Sequence, residues 1–120
     1  MGTALNIVLI GLAILLIVQK MLPVKGVKNI STGQLKNELN NKNKQFIDVR
    51  TPGEFKANHI RGFKNIPLQQ LQQKASELSK DKEVVVICQS GMRSKQATKV
   101  LKKLGFQNIT NVTGGMSAWR

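Results

Sequence analysis

One cysteine and one arginine hold the chemical interest of this sequence. Cys88 is the only cysteine in the chain, and Arg93 follows it by five positions within CQSGMR, residues 88–93. A lone cysteine in such a place is a buried filler residue, a redox thiol, a phosphatase nucleophile or a sulfur carrier. Its neighbours favour the reactive readings. Ser90 and Gly91 let the loop curl so that backbone N–H groups converge on one point. A helix starting after the loop adds free N–H groups and the positive end of its dipole. Arg93 adds a fixed positive charge. Together these favour a thiolate at Cys88 and would also hold a substrate anion or the extra sulfur of a persulfide. Asp48 and Arg50 end an earlier strand at the same edge; they read as an ion pair or loop anchor, and Arg50 could receive an anionic donor. Ser94 reads as an ordinary helix cap, and Glu54 and His59 as residues that fix a turn.

The residue counts exclude other chemistry. One Cys rules out an internal disulfide and any Cys-x-x-Cys motif, and with a single His it leaves no cysteine–histidine metal site. No metal and no cofactor are expected. A lone thiol suits a reducing compartment.

The elements that must position these groups follow from periodicity. EVVVIC, 83–88, is a continuous apolar run with β-branched residues, the mark of a central strand covered on both faces. Ala97, Val100, Leu101 and Leu104 form one face of the helix after it, which stops at Gly105. Strands are expected at 45–49, 63–67 and 108–112. Ser31 and Gln34 are spaced as a capping box for a helix running to Leu39, with Asn40 to Asn43 closing it. TPGEFKANH, 51–59, should turn and make one or two helical turns. Leu68, Leu71, Ala75 and Leu78 recur at helical spacing. The tail after Gly114–Gly115 ends in Trp119, a packing residue. Strands alternating with helices give an α/β domain with a mostly parallel sheet, and CQSGMR then sits at the carboxyl end of a central strand, where such sheets bind ligands.

Residues 1–22 form a separate unit, MGTALNIVLIGLAILLIVQKML. At 1.5 Å per residue about 20 residues just span a hydrocarbon core of about 30 Å, and Lys20 could snorkel to the interface. The segment reads as an uncleaved transmembrane anchor, with a linker over 23–28 marked by Pro23 and Gly26, and a domain over 29–120. Lys20, Lys25 and Lys28 all follow the apolar run, so the positive-inside rule places the domain in the cytoplasm, below a single-pass span of the cell membrane. The chain carries 19 Lys+Arg against 6 Asp+Glu, formally +13. That balance attracts anions. The lysines are scattered along the sequence and there is no Tyr to stack on bases, so no nucleic-acid partner is expected.

From 29 to 120 the chain resembles the single-domain rhodanese family of sulfurtransferases. Three blocks carry the resemblance: IDVRTPGEFKANHIRGFKNIP at 47–67, VVVICQSGMRS at 84–94 and GFQNITNVTGGMSAW at 105–119. It implies a three-layer α/β/α rhodanese-like domain around a five-stranded, mostly parallel sheet. It implies that Cys88 accepts sulfane sulfur as a persulfide, with Gln89, Ser90, Gly91, Met92 and Arg93 as the cradle. The implied reaction moves sulfur from a donor such as thiosulfate to a thiol or cyanide acceptor. The alternatives are a membrane-tethered relay or binding module with little turnover of free donor, and a phosphatase or arsenate reductase. The latter are weaker because related cell-cycle phosphatases carry one residue more than this six-residue loop. Three positions depart from the family pattern: Asn58 replaces a usual Gly before His59 and tolerates left-handed backbone, Phe63 replaces a smaller residue, and Gln89 stands where some members are basic.

Overall fold

The computed structural model describes residues 2–21 and 24–120, without side chains for 19–21; the anchor end Leu22, the linker's Pro23 and the side chain of Lys20 lie outside the described residues. Helix α1 spans Gly2–Met21. There follow β1 (Lys28–Ile30), α2 (Thr32–Lys36), β2 (Lys44–Asp48), α3 (Pro52–Ala57), β3 (Lys64–Asn65), α4 (Leu71–Lys74), β4 (Glu83–Ile87), α5 (Met92–Lys103), β5 (Ile109–Val112) and α6 (Gly115–Ala118). The five strands form one parallel sheet in the order β1-β5-β4-β2-β3.

Burial on β4 alternates between two faces, as a strand covered on both sides requires. Val84 and Val86 pack with Leu71, Ala97, Leu101 and Phe106 under α4 and α5. Val85 and Ile87 pack with Leu35, Phe63 and Met116, so α2, α3 and α6 cover the opposite face together with Phe55 and Trp119. The expected three layers are present, and the central strand delivers Cys88 at its carboxyl end.

Local chemistry explains most of the boundaries. Ser31 and Gln34 form the expected capping box, but α2 ends at Lys36, short of Leu39. Only Leu35 and Leu39 hold it to the core, and the Asn-rich stretch that follows offers no further apolar turn. Thr51 and Glu54 make a second capping box at α3, with Pro52 in the first turn. The helix expected over 68–78 is instead one turn of α-helix between two 3₁₀ segments, Leu68–Gln70 and Ala75–Glu77. All four apolar residues still pack on the core, so these turns keep one buried face without a sustained α-helix. Strand β1 was not foreseen from its own residues: three residues, two of them polar and exposed, pair at the sheet edge with β5 and take Lys28 out of the expected linker. Helix α6 occupies what reads as a tail.

Helix α1 exposes Leu5, Ile7, Val8, Leu9, Ile10, Leu12, Ile14, Leu15, Leu16, Ile17 and Val18, and none of its described side chains joins either core. Among the described residues no helix is long and apolar enough to cross a membrane; the apolar side chains described in α1 end at Val18. The expected transmembrane span is therefore not established by the fold, although the backbone over Gly2–Met21 is helical throughout.

Candidate active site

β4 ends at Ile87, and the loop from Cys88 curls back through Gly91 into α5. Gly91 is the N-cap of α5 at φ +105°, a left-handed conformation that costs a residue with a Cβ about 1–2 kcal/mol. That turn brings the Gly91 N–H to 2.9 Å from Cys88 Sγ, where it donates to the sulfur. The thiol is fully buried. It donates to Ser94 Oγ at 3.4 Å, and that hydroxyl in turn donates to the Gly91 carbonyl at 3.1 Å. Ser94 is thus a buried partner of the sulfur rather than a simple cap. When the thiol loses its proton the hydroxyl can rotate to donate to sulfur, joining the Gly91 N–H and the amino end of the twelve-residue α5.

The loop's carbonyls are held outward by α6. The Met116 N–H donates to Cys88 O at 2.8 Å and the Ser117 N–H to Gln89 O at 2.9 Å. Ser117 Oγ also donates to Gln89 O, at 2.9 Å. Gly115 makes this approach possible: a Cβ there would lie 2.3 Å from Cys88 O. With these carbonyls fastened behind it, the loop is free to turn N–H groups toward the sulfur. Sequence reasoning missed this clamp; the signal was the Gly114–Gly115 pair, which reads as a turn but serves a close approach.

Arg93, expected as a cradle residue, is bound to Glu54 of α3. Its guanidinium makes two parallel bonds to Glu54, Nη1 to Oε1 at 2.6 Å and Nη2 to Oε2 at 2.8 Å. The hydrogen bonds from Arg93 pull the Glu54 carboxyl down to about 2, with the Thr51 cap adding to the effect against burial. Arg93 is shifted up, first by the Glu54 hydrogen bond and further by the charges of Glu54, Cys88 and Asp48. Its charge still acts on the thiolate, but its hydrogen bonds tie the start of α5 to α3.

Asp48 and Arg50 form the second tie. Both are buried; Arg50 Nη2 meets Asp48 Oδ2 at 2.8 Å, and Nε bonds both carboxylate oxygens at 3.0 and 3.1 Å. The remaining donors go to the Asn58 carbonyl at 2.5 Å and to Gln89 Oε1 at 3.2 Å. Arg50 is therefore a loop anchor, and Gln89 is the residue it grips; Gln89 Nε2 reaches on to Ser117 Oγ at 3.3 Å. Asn58 is extended, at φ −166°, so the left-handed turn expected there is absent and an asparagine fits without strain. His59 is exposed, bonded to Phe55 O at 2.7 Å and stacked on the Phe55 ring, in keeping with a turn role. Phe63 fills the core against Phe46, with ring centroids 5.3 Å apart. Ser90 and Met92 are exposed on the loop, Met92 at 64%. Among the described residues no group of acidic, His and Cys side chains could hold a metal ion.

Comparison with known proteins places this arrangement. The rhodanese-like domain family matches residues 31–120. The protein YqhL of Bacillus subtilis is 47% identical over 75 residues, 62% of this chain and 60% of that protein, so the chain spans less than two thirds of its length. The thiosulfate sulfurtransferase GlpE of Shewanella oneidensis is 32% identical over 92 residues, covering 77% of this chain and 91% of that one. The crystal structure of a rhodanese-like domain protein from Staphylococcus aureus superposes with a TM-score of 0.72 at 34% identity, over 78% of this chain and 92% of that one. With the parallel sheet, the Cys88 loop and matches over most of its length, the chain belongs to the rhodanese-like domain family.

Proposed function

We propose that the chain is a sulfurtransferase that carries sulfane sulfur on Cys88. The observation that supports it most directly is the buried Sγ, set at the amino end of α5 and receiving the Gly91 N–H at 2.9 Å. The Cys88 thiolate attacks the sulfane sulfur of a donor; the donor's S–S bond breaks and the leaving group departs with the electron pair. Cys88 is left as a persulfide. A thiolate or cyanide then attacks the outer sulfur, and Cys88 leaves as thiolate. With no second cysteine in the chain, the acceptor must come from outside. Both guanidiniums near the loop are matched by carboxylates, Arg50 by Asp48 and Arg93 by Glu54. Gln89 adds no charge. With Gln89 uncharged and both guanidiniums engaged by carboxylates, the dianion thiosulfate is a poor donor for this site.

Helix α1 is read as the membrane anchor of this enzyme, with the domain on the cytoplasmic face. Its twenty helical residues extend about 30 Å, eleven large apolar side chains lie exposed along it, and Lys25 and Lys28 lie just beyond its carboxyl end. A tethered relay that serves one membrane partner shares the same persulfide step and differs in its turnover of free donors.

Intact mass after treatment with thiosulfate or an organic persulfide should show one added sulfur atom, absent in Cys88→Ser. No adduct with any donor would refute the sulfurtransferase reading. Extraction of membranes with alkaline carbonate should leave the full chain in the pellet, and release into the supernatant would refute the anchor.

A further inference from the structure

Beside the catalytic loop lies a cavity of about 660 Å³, within the usual range for small-molecule sites. One wall is the loop segment Ser90–Met92. Ile17 of α1, Val24 and Val27 also line it, with Asn29 of β1, Asn111 of β5 and Thr113 just after β5. Eleven of the exposed large apolar side chains among the described residues belong to α1; the twelfth is Met92, which lines this cavity with Ile17. Apolar side chains of the helix and of the cysteine loop thus line one cavity. Exposed apolar surface that lines a cleft is where an apolar ligand body would lie.

The geometry points to this cavity as the binding site of the sulfur acceptor, a thiol with an unbranched apolar body that lies along α1 while its sulfur end meets the loop. The inference rests on the persulfide reading of Cys88. In the transfer, the acceptor thiolate attacks the outer sulfur of the Cys88 persulfide. The bond between the two sulfurs breaks, Cys88 leaves as thiolate with the electron pair, and the persulfide proton stays on the transferred sulfur. The product is the acceptor's own persulfide, and no oxidant or reductant is consumed.

The test uses the full chain in lipid nanodiscs, loaded with sulfur at Cys88, and follows loss of that sulfur by mass. The acceptors are 2-mercapto-N-methylacetamide and its N-butyl and N-octyl homologues. Each methylene that enters an apolar site multiplies binding about fourfold, so the second-order rate should rise at least about tenfold from methyl to butyl. Val24→Trp, which fills the cavity, should flatten that gradient. Equal rates along the series would overturn the acceptor site while leaving the sulfurtransferase reading intact. A gradient that survives Val24→Trp would mean simple partition into lipid and would overturn it as well. Should Cys88 refuse to load, the sulfurtransferase reading fails. Titration with N-butylacetamide then decides the cavity: saturable amide shifts at Asn29, Gly91 and Thr113 support it, and their absence overturns it.

Discussion

Replacing Gly115 by alanine should damage both the fold and the reactive loop. The added methyl would sit 2.3 Å from the Cys88 carbonyl oxygen and 2.9 Å from the Gln89 carbonyl carbon and oxygen. All three are backbone atoms, so the clash cannot be relieved by rotating a side chain. Gly115 also has φ +58°, where an alanine costs about 1–2 kcal/mol. If α6 backs away, the bonds from the Met116 and Ser117 N–H groups to the loop are lost, at about 0.5–1.5 kcal/mol each. The total is about 2–5 kcal/mol, a large share of a small domain's stability. Urea denaturation of the domain reports the loss, and the rate of sulfur uptake from a persulfide donor, read by intact mass, reports the state of Cys88. Uptake should slow at urea concentrations where the variant remains folded, because the loop carbonyls are no longer held outward. Gly53→Ala is the control, since a Cβ there meets nothing within 4 Å; it should match or slightly exceed the parent in stability. A Gly115→Ala protein with parental stability and parental uptake would refute the clamp.

Three further outcomes are expected. Ser94→Ala should slow sulfur uptake about threefold to tenfold with about 1–3 kcal/mol lost in urea denaturation, because it removes a hydroxyl next to the sulfur and the two neutral hydrogen bonds it makes, from Cys88 and to the Gly91 carbonyl. Asp48→Asn should cost about 3–5 kcal/mol in the same assay, since it leaves the buried Arg50 guanidinium without its countercharge. The Glu54 carboxyl titrates near 2 in the folded chain, below its ordinary value of 4.5, so its contribution is complete above about pH 4.5 and falls away as pH drops toward 2. The pair is a third exposed; after solvent screening the change is at most about 1 kcal/mol, and acid titration of stability should show it in the parent and not in Glu54→Gln.

The layers of the domain and the reactive cysteine were legible because each rests on a local pattern. VVVI announces a buried strand, the alternation of strands and helices announces a parallel sheet, and CQSGMR joins strand to helix in six residues. Arg93 shows where such reading stops. Its spacing from Cys88 suggests a cradle residue, yet its partner is Glu54, thirty-nine positions earlier, and nothing in CQSGMR specifies that pairing. Gln89 is similar: the sequence shows the loss of a charge, and only the fold shows the amide gripped by Arg50 and reaching Ser117. Strand β1 and helix α6 escaped because three or four residues carry too little periodicity to signal an element; both are fixed by long-range pairing, β1 to β5 and α6 to the Cys88 loop.

The position of α6 in the chain also sets when the cysteine loop is fastened during synthesis. Ser117 lies 28 positions after Gln89, whose carbonyl it holds. At about 5–20 residues per second that is a delay of a few seconds. For that interval the nascent polypeptide already contains Cys88 but lacks the segment that organises it. A ribosome stalled before Gly115 therefore carries a Cys88 loop whose carbonyls are not yet fastened.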